Sequence, residues 1–190
     1  MIKNKVVIIT AQGFQDHDII YTYYRAIEEN YDVSIATKNG EPVIGKYGVT
    51  VPLDKRAKHN ISFDNLKESD FDLVILTGGH EAPDRVRQDK RVKEFITIMA
   101  NSGKIVAGLC HGPWIMISAG IMKDKVACAY IGLKDDMINA GAHVVEADVV
   151  VDNNIITCSY YAEVGKFMRE TFSAVERWRN NEILSEHLEL

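Results

Sequence analysis

The chain of 190 residues carries 22 Lys and Arg against 27 Asp and Glu, a formal net charge of -5, which argues against a nucleic-acid backbone as its main partner. Its hydrophobic content of 46% and charged content of 26% suit a globular chain that can bury one core without staples. Three widely spaced cysteines form neither a disulfide framework nor a zinc pattern. No apolar run approaches membrane-spanning length, and the opening run Val6–Ile9 is too short for a signal peptide, so the expectation is a reducing, cytoplasmic compartment with no membrane partner.

Val6-Val7-Ile8-Ile9 is β-branched and uniformly apolar, as a central parallel strand covered on both faces requires. Thr10-Ala11-Gln12-Gly13 reads as a loop. Asp16 and Asp18 open a helix that runs to about Asn30 and places Ile20, Tyr23, Tyr24 and Ile27 on one face. Asp32–Thr37 is a second strand, and Lys38-Asn39-Gly40 a turn. Pro42, Gly45 and Gly48 punctuate Val43-Ile44 and Val49–Val51, predicting a small hairpin inserted in the alternation. Residues 55–69 read as polar and irregular, with the basic run Lys55-Arg56-Ala57-Lys58-His59 as a solvated loop.

Phe71–Leu76 is a buried strand ending in the loop Thr77-Gly78-Gly79-His80. After Glu81–Arg87 a helix spans about Asp89 to Asn101, with Val92, Phe95, Ile96 and Met99 inward. Ile105–Ala107 is the next strand, and a helix begins at Pro113. Beyond it come a strand at Val126–Tyr130, a helix at Gly132–Ala140, and short strands at His143–Val145, Val149–Val151 and Ile155–Cys158. Asp152-Asn153-Asn154 supplies a hairpin turn. The last helix starts near Ala162, with Val164, Met168, Phe172, Val175 and Trp178 on one stripe, and the tail past Asn180 reads as frayed. The expected unit is one domain, 1–180, with a tail at 181–190. Alternating strands and helices with near-continuous apolar strands imply a mostly parallel α/β sheet with helices on both faces, and sites at the strand C-termini.

Three such ends carry polar chemistry: Gly13–Asp18, Thr77–Asp84 and Cys110-His111. The third organises the chain. Gly108-Leu109-Cys110-His111-Gly112 follows a buried strand and precedes a helix, which is the spacing of a nucleophile elbow with Cys in place of Ser. A helix N-terminus behind Cys110 would favour thiolate, predicting alkylation well below the reference thiol pKa of about 8.5. A lone Cys beside an apolar run is more often a small buried hydrophobe. The glycine-flanked turn, the adjacent His and the strand-end position outweigh that reading here. Cys128 and Cys158 read as strand residues in or near the core. His80 and His143 read as structural or solvent-facing, and Trp114 as core.

The loops Phe14-Gln15-Asp16-His17-Asp18, Gly78–Arg87 and Gly108–Trp114, with Gly132–Thr157, resemble the ThiJ/PfpI superfamily, in particular its PfpI-type intracellular protease branch, over nearly the whole chain. The resemblance implies a flavodoxin-like three-layer sandwich akin to class I glutamine amidotransferases. It implies a Cys-His pair with no metal or organic cofactor, and a stress-response role. By the same resemblance Cys110 is the nucleophile and His111 its catalytic neighbour. Asp84 is the acid lent by an adjacent subunit, which requires a homo-oligomer, and Asp18 is the acid that hydrogen-bonds the cysteine. Gly79, with Gly78, Gln15 and Tyr130 around it, forms the oxyanion pocket and its lining. Gln15 and Asp18 stand where glutamates are usual, and Ser159 and Tyr161 replace an Arg and a Pro. The implied activity is a cysteine-dependent peptidase or amidase acting on a peptide or small molecule. The alternatives are a glyoxalase III or deglycase acting on methylglyoxal and glycated groups, and a redox sensor or chaperone without turnover.

Overall fold

In the computed structural model, residues 4–53, 60–180 and 188–189 are described. The basic run at 55–59 and most of the tail, 181–187, lie outside them. An eight-stranded sheet forms the middle layer. Its strands are β1 (Lys5–Ile9), β2 (Asp32–Thr37), β5 (Ile61–Ser62), β6 (Leu73–Leu76), β7 (Ile105–Leu109), β10 (Val149–Asp152), β11 (Ile155–Cys158) and β12 (Leu188–Glu189), in the order β12-β10-β11-β7-β6-β1-β2-β5. The run from β11 through β7, β6, β1 and β2 to β5 is parallel, and β10 lies antiparallel between β11 and β12. This is a mostly parallel flavodoxin-like α/β fold. The reading from uniformly apolar strands holds because every residue of β6 and β7, and Val6–Ile9 of β1, is buried.

Helices α1 (Asp16–Glu28), α2 (Glu81–Val86), α3 (Lys90–Asn101), α4 (Pro113–Ser118), α5 (Lys134–Asn139) and α6 (Val164–Arg179) complete the layers. Asp89 caps α3 by accepting from Val92 N at 3.1 Å, and Val92, Phe95, Ile96 and Met99 are fully buried, as their spacing predicts. The hairpin of β3 (Val43–Ile44) and β4 (Thr50–Val51) forms as expected, with Val43 opposite Val51.

Several expectations are corrected. The inward face of α1 is Ile19, Thr22, Tyr23 and Ala26, whereas Ile20, Tyr24 and Ile27 are 39%, 48% and 44% exposed. Both sets satisfy helical spacing. The two stripes share Tyr23, and the one turned toward β2 and α6, with Ile19, Thr22 and Ala26 fully buried, is the one the packing selects. Glu81–Val86 is helical rather than a connector. The strand at Phe71 begins two residues later, at Leu73, and the strand at Ile105 continues to Leu109. The strand at Val126 stops at Ala127 as β8, pairing parallel with β9 (His143–Val144) outside the main sheet. Of the tail read as frayed, Leu188 and Glu189 pair with Val151 and Val150 as an edge strand.

The chain turns from β2 on one side of β1 to β6 on the other, so the order reverses between β1 and β6. In open α/β sheets ligands bind outside the strand C-termini at such a reversal. The loops after β1, β6 and β7 converge there. Thr77 Oγ1 lies 2.9 Å from Thr10 Oγ1, and Gln15 N donates to Gly78 O at 3.2 Å.

Candidate active site

β7 ends at Leu109, and Cys110 follows with φ +57°, a left-handed conformation costly for a residue with a Cβ. The turn is held by Cys110 N donating to Cys158 O at 2.9 Å and Gly112 N donating to Leu109 O at 2.7 Å. A Cβ on Gly112 would lie 2.3 Å from Leu76 O, so only glycine lets the turn close on β6. The elbow read from the glycine spacing is therefore present, and its strain aims the thiol out of the strand. Cys110 Sγ lies 3.3 Å from His111 Nδ1. The backbone N–H groups of His111 and Gly79 face the same sulfur. The side chain is only 6% exposed.

Asp18, on the first turn of α1, is fully buried beneath this turn and accepts from Gly78 N at 2.7 Å through Oδ2. Its other oxygen, Oδ1, has no hydrogen-bond partner. The hydrogen bond expected between Asp18 and the cysteine is thus made to Gly78 instead, since the shorter carboxylate reaches the loop amide. A Cβ on Gly78 would sit 2.7 Å from Cys110 Cβ and 2.9 Å from Asp18 Oδ2, so this glycine is what lets acid and thiol approach each other.

Burial sets the electrostatics. It raises the Asp18 carboxyl to about 8, against the opposing pull of Gly78 N–H and Lys46. It raises the Cys110 thiol to about 12, with Asp18 adding to the shift. It lowers His111 to about 4, helped by His80 and Lys46. The expectation of a thiolate-favouring cysteine is corrected. The helix behind Cys110 is a six-residue turn, and its N-terminus does not outweigh the loss of water around the sulfur. At neutral pH the resting site holds a thiol, a neutral imidazole and a protonated carboxyl.

The other expected residues fall as follows. Tyr130 stacks on His111 with ring centroids 4.6 Å apart, and its N–H donates to Cys110 O at 3.3 Å. Gln15 is buried beside Gly78 and Gly79, its Oε1 without a partner. Asp84 does not join the cluster within one chain. It is exposed on α2, and its carboxylate accepts from Gln88 Nε2 at 3.4 Å. The contacts of His111 are instead with Cys110, His80, Trp114 and Tyr130. Cys128 and Cys158 are buried in strand and strand-end positions, and His80 and His143 are exposed, as read. Trp114 is only part-buried and donates to Asp136 Oδ2 at 2.6 Å, its ring 5.5 Å from that of His111, so it flanks the site rather than filling the core.

Sequence reasoning missed the part played by four residues. Lys46, at the tip of the β3–β4 hairpin, biases Asp18, Cys110 and His111 alike. Asp16, read only as a dipole-friendly residue, holds that tip by accepting from Tyr47 N at 2.9 Å and Val49 N at 2.8 Å. Tyr160 and Tyr161 continue the aromatic surface from Tyr130, with centroids 6.2 Å and then 4.3 Å apart. The signal for Lys46 was a cation between two glycines in a hairpin that otherwise had no role. Among the described residues no group of three or more His, Cys, Asp or Glu could hold a metal ion.

Residues 4–174 match the model of the DJ-1/PfpI family. The chain belongs to the DJ-1/PfpI family. This DJ-1/PfpI protein is 40% identical over 166 residues to "Deglycase PH1704" of Pyrococcus horikoshii, covering 87% of this chain and 96% of that one. It is 31% identical over 173 residues to "Putative cysteine protease YraA" of Bacillus subtilis, covering 90% and 98%. A ThiJ/PfpI domain protein from Brachyspira murdochii shares the fold at a TM-score of 0.83 and 20% identity, covering 92% of this chain and 97% of that one. No helix among the described residues is long and apolar enough to cross a membrane.

Proposed function

We propose that this DJ-1/PfpI protein is a cysteine-dependent enzyme of dicarbonyl chemistry, removing 2-oxoaldehydes and the early adducts they form with amines and thiols. The observation that carries this is the pair Cys110 Sγ and His111 Nδ1 at 3.3 Å on a left-handed elbow, with two backbone N–H groups facing the sulfur. The deglycase name of the Pyrococcus horikoshii relative moves this reading ahead of the peptidase that the motifs first suggest.

The protonation states define the steps. With its own proton on Nε2, His111 accepts the thiol proton at Nδ1 as sulfur bonds to the aldehyde carbon. The oxyanion forms where the N–H groups of Gly79 and His111 can donate to it, then takes the proton back from His111, giving a neutral hemithioacetal. The freed imidazole moves the C–H proton from the former aldehyde carbon to its neighbour, while the hemithioacetal O–H proton passes to the neighbouring carbonyl oxygen, which becomes the new hydroxyl. Oxidation of one carbon is balanced by reduction of the other, and a thioester results. Water cleaves the thioester to a 2-hydroxy acid and restores the thiol. Asp18 keeps its proton throughout at neutral pH, so no second anion opposes the sulfur.

Methylglyoxal consumption with lactate release, measured without glutathione, tests this. Turnover lost in Cys110→Ser supports it, and no turnover in the wild type overturns it. The name carried by the Bacillus subtilis relative favours a second reading, peptide hydrolysis by the same pair, which cleavage of unmodified peptides by wild type but not Cys110→Ser would support. In either chemistry Asp84 could orient His111 only across an interface, since the two do not meet within one chain. Inactive Cys110→Ser and Asp84→Ala proteins should then regain activity when refolded together, and no regain would leave Asp84 a surface residue.

A further inference from the structure

A cavity of about 560 Å³ is lined by Ala129, Tyr130, Val144, Val145, Ala147 and Tyr160, and it reaches the site through Tyr130, the ring that stacks on His111. Its two rings spring from backbone that is hydrogen-bonded around Cys110. Tyr130 N donates to Cys110 O, and Tyr160 follows the end of β11, where Cys158 O accepts from Cys110 N. Tyr130 stacks on His111 at 4.6 Å, and its centroid lies 6.2 Å from that of Tyr160, the two tyrosine rings near parallel at 24°. Tyr160 is 42% exposed, and so is available to a ligand. It lies between Ser159 and Tyr161, two of the four positions where the resemblance leads one to expect other residues.

The chemistry of the walls narrows the occupant. The aliphatic side is Ala129, Val144, Val145 and Ala147, and the rings form the other. The exposed charges Lys134, Glu146 and Asp148 border it with both signs, which selects against an arm bearing a single strong charge. A volume within the usual ligand-pocket range of roughly 300–1,000 Å³ suits an arm of ring size or larger. Methylglyoxal, with a single methyl, would leave it empty.

We propose that this cavity is a substrate subsite for an uncharged aromatic arm attached to the carbonyl that Cys110 attacks. The favoured substrates are then aryl 2-oxoaldehydes and their adducts. This rests on Cys110 as the attacking atom and deepens the reading above.

The test compares two electrophiles with the same reacting group, 2-bromoacetophenone and bromoacetone. In each the Cys110 sulfur bonds to the CH₂ carbon, bromide leaves and the thiol proton passes to solvent. Rates are read at Cys110 by peptide mass mapping at pH 8, with N-acetylcysteine as the free-thiol reference. The aryl-to-alkyl rate ratio at Cys110 should exceed that of N-acetylcysteine by about tenfold, as two added ring contacts allow. Ala147→Trp, which fills the cavity, and Tyr160→Ala, which removes one ring, should each bring the ratio down several-fold. Using a ratio cancels any general loss of reactivity. The wild-type comparison needs no variant, and Tyr160→Ala decides if Ala147→Trp does not fold. A wild-type ratio equal to that of N-acetylcysteine, or one unmoved by either variant, overturns the subsite. Absent methylglyoxal turnover with a raised ratio would overturn the enzymatic reading and leave the subsite standing.

Discussion

Two regions of this molecule bury cysteines, and they do so to different ends. At the end of β11 and just past β8, Cys158 and Cys128 spend their thiol protons on backbone carbonyls, Tyr160 O at 3.4 Å and Thr157 O at 3.4 Å. At the elbow, Cys110 meets an imidazole nitrogen at 3.3 Å. Burial pushes all three thiols up, to about 12 for Cys110 and about 11 for Cys128, with Cys158 raised as well. Acidity therefore does not set Cys110 apart from the other two. The partner does: a carbonyl can only hold a thiol proton, whereas a neutral imidazole can remove it.

The sharpest way to break this contrast is to exchange the partners. Cys110→Ser and His111→Ala should each cut turnover at least about a hundredfold, the range for losing a nucleophile or a general base, with unfolding transitions close to wild type. Cys128→Ala should keep turnover within about twofold while costing about 1 kcal/mol in chemical denaturation. Equal activity losses at Cys110 and Cys128 would erase the distinction. Iodoacetamide at pH 7.5 gives the second measure. Cys110 should label more slowly than a free thiol by at least about tenfold, because its thiolate is scarce in the absence of a carbonyl substrate. Labelling faster than a free thiol would mean that the site activates sulfur at rest.

The smallest expected effect is in stability against pH. Asp18 holds its proton to about pH 8 when folded but only to about 3.8 when unfolded, so its contribution is full below 3.8 and drains away as pH rises to 8. His111 acts in the opposite sense. Its pKa falls from 6.5 to about 4 on folding, so its contribution is present above 6.5 and lost as pH falls toward 4, muted because the ring is half in water. Between 4 and 6.5 the two oppose each other. Above 6.5 Asp18 is no longer opposed by His111, and stability should fall as pH rises toward 8. Asp18→Asn should flatten that fall in urea titrations, and an unchanged slope would remove Asp18 as its source.

Most of the fold was legible because its strands are uniformly apolar and its glycine turns are sharp. Val6–Ile9 and Ile105–Ala107 could hardly be anything but central strands once their burial on both faces is granted. The face of α1 was misread because period alone cannot choose between two stripes offset by one residue. The choice was made by how closely α1 approaches the sheet and α6. At the site, Cys110 and His111 were legible from one contiguous motif, and Tyr130 only through the family resemblance. Lys46 and Tyr160 were not, since they arrive through a hairpin and a strand end far away in sequence. The acidity of the sulfur was misread for a related reason. A helix start is visible in sequence, whereas the water excluded by Asp18, Tyr130 and the glycine loop is a property of the assembled site.

Gly78 and Gly79 carry a consequence for how this chain can drift. A Cβ at Gly78 would stand 2.7 Å from Cys110 Cβ, and one at Gly79, where φ is +83°, would stand 2.5 Å from Gln15 N. Gly79 thus meets the first loop main chain against main chain, and Gly78 meets the side chains of Cys110 and Asp18, with no room for a side chain at either. In a saturation library sorted only for soluble expression, serine and alanine should survive at Cys110, while Gly79 should return almost nothing but the parental codon. Sorted for turnover, both positions should go blank. Laid over each other, the two maps would separate a residue proposed to do chemistry from a residue that makes space for it.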